Sequence, residues 1–193
     1  MVTTSLPAPV AVLDSAVTWT HGCLQLARGV PMNVPTPCAD WDLGDLLLHM
    51  EDSLLALSEA ADLGQVVVAH GRRGDLDRTI DQIITLACTT TAAWRRRLTS
   101  APIGVGDLGL GRDTLALVGA LEIATHGWDV AVATGDPRPL PEDLAHRLYD
   151  VALAVVTPEE RGRRFATVVH VPSGATTGTR LLAHLGRRAP DHH

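Results

Sequence analysis

The sequence predicts an all-α (mostly helical) protein organised as a four-helix bundle with a short α/extended C-terminal appendage. Four segments of about twenty residues space their apolar side chains three or four apart, the period that gathers them on one helix face. Stretches containing glycine or proline separate these segments, as the connections of a bundle require. The composition, 46% hydrophobic and 20% charged over 193 residues, is that of a globular chain able to bury a sizeable core.

The first helix is expected over Ala8 to Gly29, with Val10, Leu13, Val17, Leu24 and Leu26 on its apolar side and a glycine ahead of Pro31 at its end. Val30 to Trp41 is proline-rich and reads as an extended loop, because each proline fixes its own φ and biases its predecessor away from helix. The second helix begins near Asp40 or Asp42, either of which can cap free amides, and carries Leu43, Leu46, Leu47, Met50, Leu54 and Leu57 as far as Gly64. After a loop from Gly64 to Asp75, the third helix spans about Leu76 to Leu98. Its Arg95-Arg96-Arg97 end places positive charge at the negative pole of the helix. Ala101 to Gly111 reads as a second loop. The fourth helix runs from about Arg112 to Thr134, closed by Gly135 with Pro137 just beyond.

Residues 8–135 are thus expected to form the four-helix bundle, and residues 136–190 a C-terminal helix and extended tail packed on it. A fifth helix is expected over Pro141 to Val156, proline being well tolerated in a first turn. A short extended piece is expected at Val168 to Val171, and a last helical turn or two at Arg180 to Leu185. No internal repeat is evident.

The net charge is −6 and all sixteen basic residues are arginines. Without a basic stripe there is little electrostatic support for nucleic-acid binding; Arg95 to Arg97 and Arg161 to Arg164 read as solvated faces. No apolar run of membrane-spanning length and no secretory signal stand out, so no membrane association and a cytoplasmic location are the expectations. Cys23, Cys38 and Cys88 are expected to be free thiols, Cys38 as a buried structural one.

Chemistry concentrates in the fourth helix. Glu122 and His126 stand four apart and share a stripe with Leu115, Val118 and Asp129. Ionisable groups in an apolar stripe are costly to bury unpaired. His49 lies in the second helix. Taken singly, the pair is an ordinary surface hydrogen bond and His49 a boundary histidine. Brought together, His49, Glu122 and His126 form a His₂Glu set, the three-ligand arrangement that leaves a catalytic divalent ion one open position. Bundle cores are where facing helices build such sites. Asp129, one turn beyond His126, is placed either to accept the proton of its unligated ring nitrogen or to hold the helix end; Trp128 is expected to pack. Gly104-Val105-Gly106-Asp107-Leu108-Gly109 has the spacing of a dinucleotide fingerprint but not its strand–turn–helix setting, and reads as a flexible connection. His192 and His193 are set aside as a tail.

Two stretches carry a family resemblance. Thr36-Pro37-Cys38-Ala39-Asp40-Trp41, followed by Asp45-Leu46 and His49, resembles the opening motif of the actinobacterial mycothiol-dependent maleylpyruvate isomerase N-terminal family, whose members are DinB-like four-helix bundles. Glu122 and His126-Gly127-Trp128-Asp129-Val130-Ala131, then Ala133-Thr134-Gly135, resembles its second signature. Arg180 to Arg187 is similar to the tail of its single-domain branch. The resemblance implies a divalent metal, usually zinc, on His49, Glu122 and His126, with mycothiol as cosubstrate. It does not carry over substrate-binding residues, because the two-domain isomerase draws those from a C-terminal domain for which this chain has only about fifty-five residues.

Three functions follow as expectations. One is a thiol-using metalloenzyme, a transferase or isomerase that activates mycothiol or another small thiol against a small electrophilic metabolite. The second is a thiol-independent metal-dependent hydrolase, lyase or cyclase of specialised metabolism. The third is a non-catalytic ligand-binding bundle. The donor set suits zinc, nickel, iron or cobalt. The partners expected are a small-molecule substrate and a small thiol, with the chain a monomer or homodimer.

Overall fold

The computed structural model describes residues 8–66, 75–96, 102–105, 108–162 and 165–188. Four long helices, α1 (Ala8–Leu26), α2 (Leu43–Leu63), α3 (Leu76–Arg96) and α4 (Arg112–Ala133), form the bundle. Helix α1 packs against α4 and α3, and α2 against α3 and α4. The consecutive helices α1 and α2 therefore take opposite corners, a crossover that the long Ala27–Asp42 connection makes room for.

Each helix buries the stripe its spacing foretells. Leu13 and Leu24 of α1, Leu46, Leu47 and Leu54 of α2, and Ile80, Ile83 and Trp94 of α3 are essentially without solvent contact. Removing such a side chain from water is worth about 1.5–3 kcal/mol each, which is what holds otherwise marginal helices in register. The indole of Trp94 also donates to the Leu57 carbonyl at 3.2 Å, tying α3 to α2. Helix α4 is the most deeply enclosed. It has the length and hydropathy of a membrane span, but 78% of that window is buried inside the protein, so its apolar surface is consumed by the other helices. Contact between α4 and α1 is close enough to need glycine at Gly127: a Cβ there would lie 2.5 Å from Thr20 Oγ1. Thr20 uses that proximity to donate to the Ile123 carbonyl at 3.0 Å.

Asp42, not Asp40, caps α2. It accepts from the Asp45 amide while the Asp45 carboxylate receives the Asp42 amide, a reciprocal capping box. Asp40 instead adopts a left-handed conformation, φ 67°, within the turn that precedes it.

The two glycine-containing loops differ from expectation. Parts of them form a three-stranded sheet: β1 (Gln65–Val66) pairs in parallel with β2 (Ile103–Val105), which pairs antiparallel with β3 (Leu108–Leu110). Strands of two or three residues are too short to leave a periodic signature. Gly104 and Gly109 of the fingerprint-like stretch face each other across the β2–β3 hairpin, while Gly106 and Asp107 lie outside the described residues. Ile103 is buried in the core, so this connection is anchored and not merely a tether.

Beyond the bundle, α5 (Glu142–Val155) packs on α4 and α1, and α6 (Thr177–His184) packs on α5. Helix α6 starts earlier than expected because Thr176 caps it, accepting from the Thr179 amide at 3.2 Å. Val168 to Val171 forms no strand; its tie to α6 is a bond from the Val169 amide to the Ala183 carbonyl at 2.9 Å. Arg161 is not a solvated charge: it donates to the Ala166 and His184 carbonyls at 3.0 and 2.6 Å. Arg97, Arg163, Arg164, His192 and His193 lie outside the described residues. All three cysteines are free, and burial pushes the Cys23 thiol up to about 12, against the pull of Arg138.

Candidate metal centre

The packing of α2 on α4 brings His49, Glu122 and His126 together. His49 Nε2 lies 2.5 Å from Glu122 Oε1, and His126 Nε2 lies 3.3 Å from the same oxygen. One donor atom from each of the three residues falls within 4.8 Å of the others. A tetrahedral ion held at ~2.0–2.1 Å separates neighbouring donors by roughly 3.3 Å. The Glu122–His126 edge already has that length, and the His49–Glu122 edge reaches it by a shift of under ~1 Å. The two imidazoles stand nearly perpendicular, 83° apart with centroids 4.8 Å distant, and the Trp41 indole covers His49 at 4.8 Å. Ser53 donates to Glu122 Oε1 at 3.3 Å. Two imidazole nitrogens and a carboxylate oxygen form a donor set that can hold a divalent metal ion.

Behind His126 is a second layer. Its Nδ1 lies 2.9 Å from Asp129 Oδ2, so the ring's other nitrogen, Nε2, is the one turned toward Glu122 and His49. Of the two roles expected for Asp129, the structure selects the partner of the ring nitrogen. Its side chain is fully buried, a position a carboxylate occupies only when compensated. The compensation comes from Arg187, beyond α6, which grips it in a two-pronged contact: Nη2 to Oδ2 at 2.8 Å and Nε to Oδ1 at 3.2 Å. Cys38 completes the cluster, its Sγ 3.2 Å from Asp129 Oδ2, 3.4 Å from Arg187 Nη2 and 3.8 Å from His126 Nδ1. Cys38, His126 and Asp129 also converge as potential ligands, but the Arg187 guanidinium already supplies the positive charge there. Cys38 is half-buried at the edge of the site, not the enclosed structural thiol expected. Its position follows from the tight turn at Thr36 to Trp41, where Thr36 Oγ1 donates to the Trp41 carbonyl at 2.9 Å.

The electrostatics are those of a tightly paired group of ions. Burial would raise Glu122, but the charge and hydrogen bonds of His126 and His49 overcome it and hold the carboxyl well below its usual range. Burial would lower His126, yet Glu122 and Asp129 together hold it well above. Asp129 is kept low, against its burial, by His126 and Arg187. In the metal-free protein the two carboxylates thus contribute stability that is present at neutral pH and lost as pH falls through their depressed values. The contribution of His126 is complete below ~6.5 and is lost as pH rises through its elevated value. Thermal unfolding of chelator-treated protein should therefore show an alkaline loss of stability that a His126→Gln variant lacks. Parallel curves for the two proteins from pH 6 to 10 would refute this.

These groups line a cavity of ≈ 720 Å³ together with the C-terminal residues Val155, Phe165, Leu185 and Arg187. The Glu122 side chain keeps 36% of its surface exposed, whereas His126 keeps 9%. His49 keeps 35%, so the donors are open to the cavity on the side of Glu122 and His49 and closed behind His126.

No family model matches the chain. The chain is similar to an uncharacterized protein of Mycobacterium tuberculosis, found in strains CDC 1551 / Oshkosh and ATCC 25618 / H37Rv. The identity is 27% over 182 residues, covering 83% of this chain and 87% of each relative. Coverage of that breadth exceeds the bundle alone and takes in part of the C-terminal segment.

Proposed function

We propose that the protein is a metal-dependent enzyme of the cytoplasm, holding zinc on His49, Glu122 and His126 and using mycothiol or another small thiol for S-transfer or thiol-assisted isomerisation of a small electrophilic metabolite. The observation that carries this is the convergence of the three donors at one end of a 720 Å³ cavity. The resemblance of the Thr36–His49 and Glu122–Gly135 stretches to the mycothiol-dependent, DinB-like family points the same way, and supplies the thiol. When bound, a divalent ion of this kind lowers the pKa of a coordinated thiol or water and so makes an anionic nucleophile available near neutral pH.

The remaining work falls to the chain. Asp129 accepts the His126 Nδ1 proton and so fixes the tautomer in which Nε2 is free to donate its lone pair. Arg187 keeps that carboxylate ionised and oriented. Trp41 covers the His49 ring and excludes water from that flank. The cavity walls hold the organic partner close to the donors and keep competing water away.

Elemental analysis of protein purified without chelator, followed by calorimetric titration of mycothiol into the metal-loaded form, tests the reading. The expected result is about one divalent ion per chain and saturable thiol binding. Metal without thiol affinity would favour a thiol-independent hydrolase, lyase or cyclase. No affinity for any divalent ion would leave a non-catalytic bundle.

A further inference from the structure

The lining of the metal-facing cavity divides by chemistry into two unlike halves. The polar half belongs to the bundle and contains His49, Glu122 and His126. The apolar half consists of Val118 and Leu121 of α4 together with Val155, Phe165 and Leu185 from the C-terminal segment.

That apolar wall is rigidly built. The chain folds back on itself at Arg161–Phe165: the Gly162 amide donates to the Phe165 carbonyl at 2.8 Å, and the Phe165 amide to the Glu160 carbonyl at 3.1 Å. Arg161 then staples this turn to the end of α6 through the Ala166 and His184 carbonyls. Gly186 closes the contact. Its φ of +82° is left-handed, and a Cβ there would sit 2.7 Å from that of Ala166, so only glycine lets the two strands of chain approach this closely. The stapled turn presents Phe165, and the Gly186 turn presents Leu185 and Arg187, to the same cavity.

The charges in the lining exclude one kind of ligand. Arg187 and the imidazoles of His49 and His126 are the basic groups among the described lining residues; the guanidinium is engaged by both Asp129 oxygens and the Leu185 carbonyl at 3.1 Å, and the imidazoles by Glu122 and Asp129. The other charged groups facing the cavity, Asp40 and Glu122, are acidic. A substrate carboxylate in the apolar half would meet no unspent positive partner among the described residues and would be desolvated at a cost.

We infer that the C-terminal segment is the specificity wall of the site and selects an uncharged, apolar or aromatic organic group, held on Phe165, Leu121 and Val155 while the reacting atom reaches the His49–Glu122–His126 end. This rests on the proposed metal site for the position of the reacting atom, but not for the wall itself.

Two measurements separate the two. The first needs no metal: saturation-transfer NMR of benzyl alcohol and of benzoate with the chelated full-length protein. Benzyl alcohol should give the stronger transfer, and Phe165→Ala should cut it at least about twofold. In the second, the cobalt(II)-loaded protein is titrated with benzyl mercaptan, 2-mercaptoethanol and 3-mercaptopropionate, followed by the thiolate-to-cobalt absorption band. Benzyl mercaptan should bind about tenfold tighter than 2-mercaptoethanol, with no gain from the carboxylate, and Phe165→Ala should erase most of that preference while leaving cobalt affinity unchanged. Val155→Phe, which narrows the cavity without removing a core side chain, should weaken benzyl mercaptan selectively and serves if Phe165→Ala does not fold. Cobalt uptake with no aromatic preference, or tighter binding of the two carboxylates, overturns the inference. Aromatic binding that depends on Phe165 in a protein that takes up no cobalt upholds the wall and refutes the metal site.

Discussion

Glu122→Gln should leave the helical bundle folded but weaken divalent-ion binding on the order of a hundredfold or more. Glutamine nearly preserves the shape of the side chain and can still receive the Ser53 hydroxyl. It cannot supply an anion between two imidazoles. Apparent binding energies of about 10–16 kcal/mol shared among the ligands of a structural zinc site put roughly 3 kcal/mol, or about two orders of magnitude, on one ligand. Loss of the charge also removes one of the two carboxylates that hold the His126 imidazole above its usual value in the metal-free state, so the variant should show a lower imidazole pKa by NMR. Competition with a chromophoric chelator gives the affinity directly. An unchanged zinc or cobalt affinity would mean that the carboxylate is not a ligand, and the proposed function would fall with it.

Arg187→Met should be among the most destabilising single changes in the protein, at about 3–5 kcal/mol, because it strands a fully buried carboxylate. The cause is desolvation and not a lost attraction: Asp129 without its guanidinium either stays charged among apolar side chains or takes up a proton and releases His126. Chemical denaturation of the single and double variants distinguishes this from simple loss of packing. Arg187→Met/Asp129→Leu should recover most of the stability, since removing both partners of a buried pair is often neutral, but should not recover metal binding. With nothing to orient Nδ1 of His126, metal affinity in the double variant should stay about 10–100-fold down. Stability and metal binding recovering together would show that the clamp only holds the C-terminal segment in place.

The helices were legible because their signal is local. The spacing of Leu43, Leu46, Leu47, Met50, Leu54 and Leu57 demands a buried face whatever it packs against, and the four long helices fall within a few residues of their expected bounds. The strands were not, since two or three residues flanked by glycine leave no period, and their order depends on pairing between segments nearly forty residues apart. Among the site residues, Glu122 and His126 announced themselves by lying on one turn of one helix, and the same spacing offered Asp129 either as the partner of His126 or as a hold on the helix end, between which the structure chose. Arg187 carried no such sign. It sits 58 residues from the carboxylate it neutralises, beyond a helical turn whose spacing gives no link to α4. Cys38 was misjudged because its environment is set by that same arginine.

Taken alone, then, the amino-acid sequence determined which side chains share a helix face, roughly where the four long helices lie, and that one carboxylate and one imidazole stand on a common turn. Tertiary structure decided that α2 lies beside α4, so that His49 meets that pair, and that the C-terminal segment lines the same cavity. The physical reason is range: helical periodicity is enforced by hydrogen bonds between residues four apart, whereas the choice of neighbours is made by burying whole faces against one another, through contacts such as Thr20 with Gly127 and Arg187 with Asp129 that no local pattern encodes.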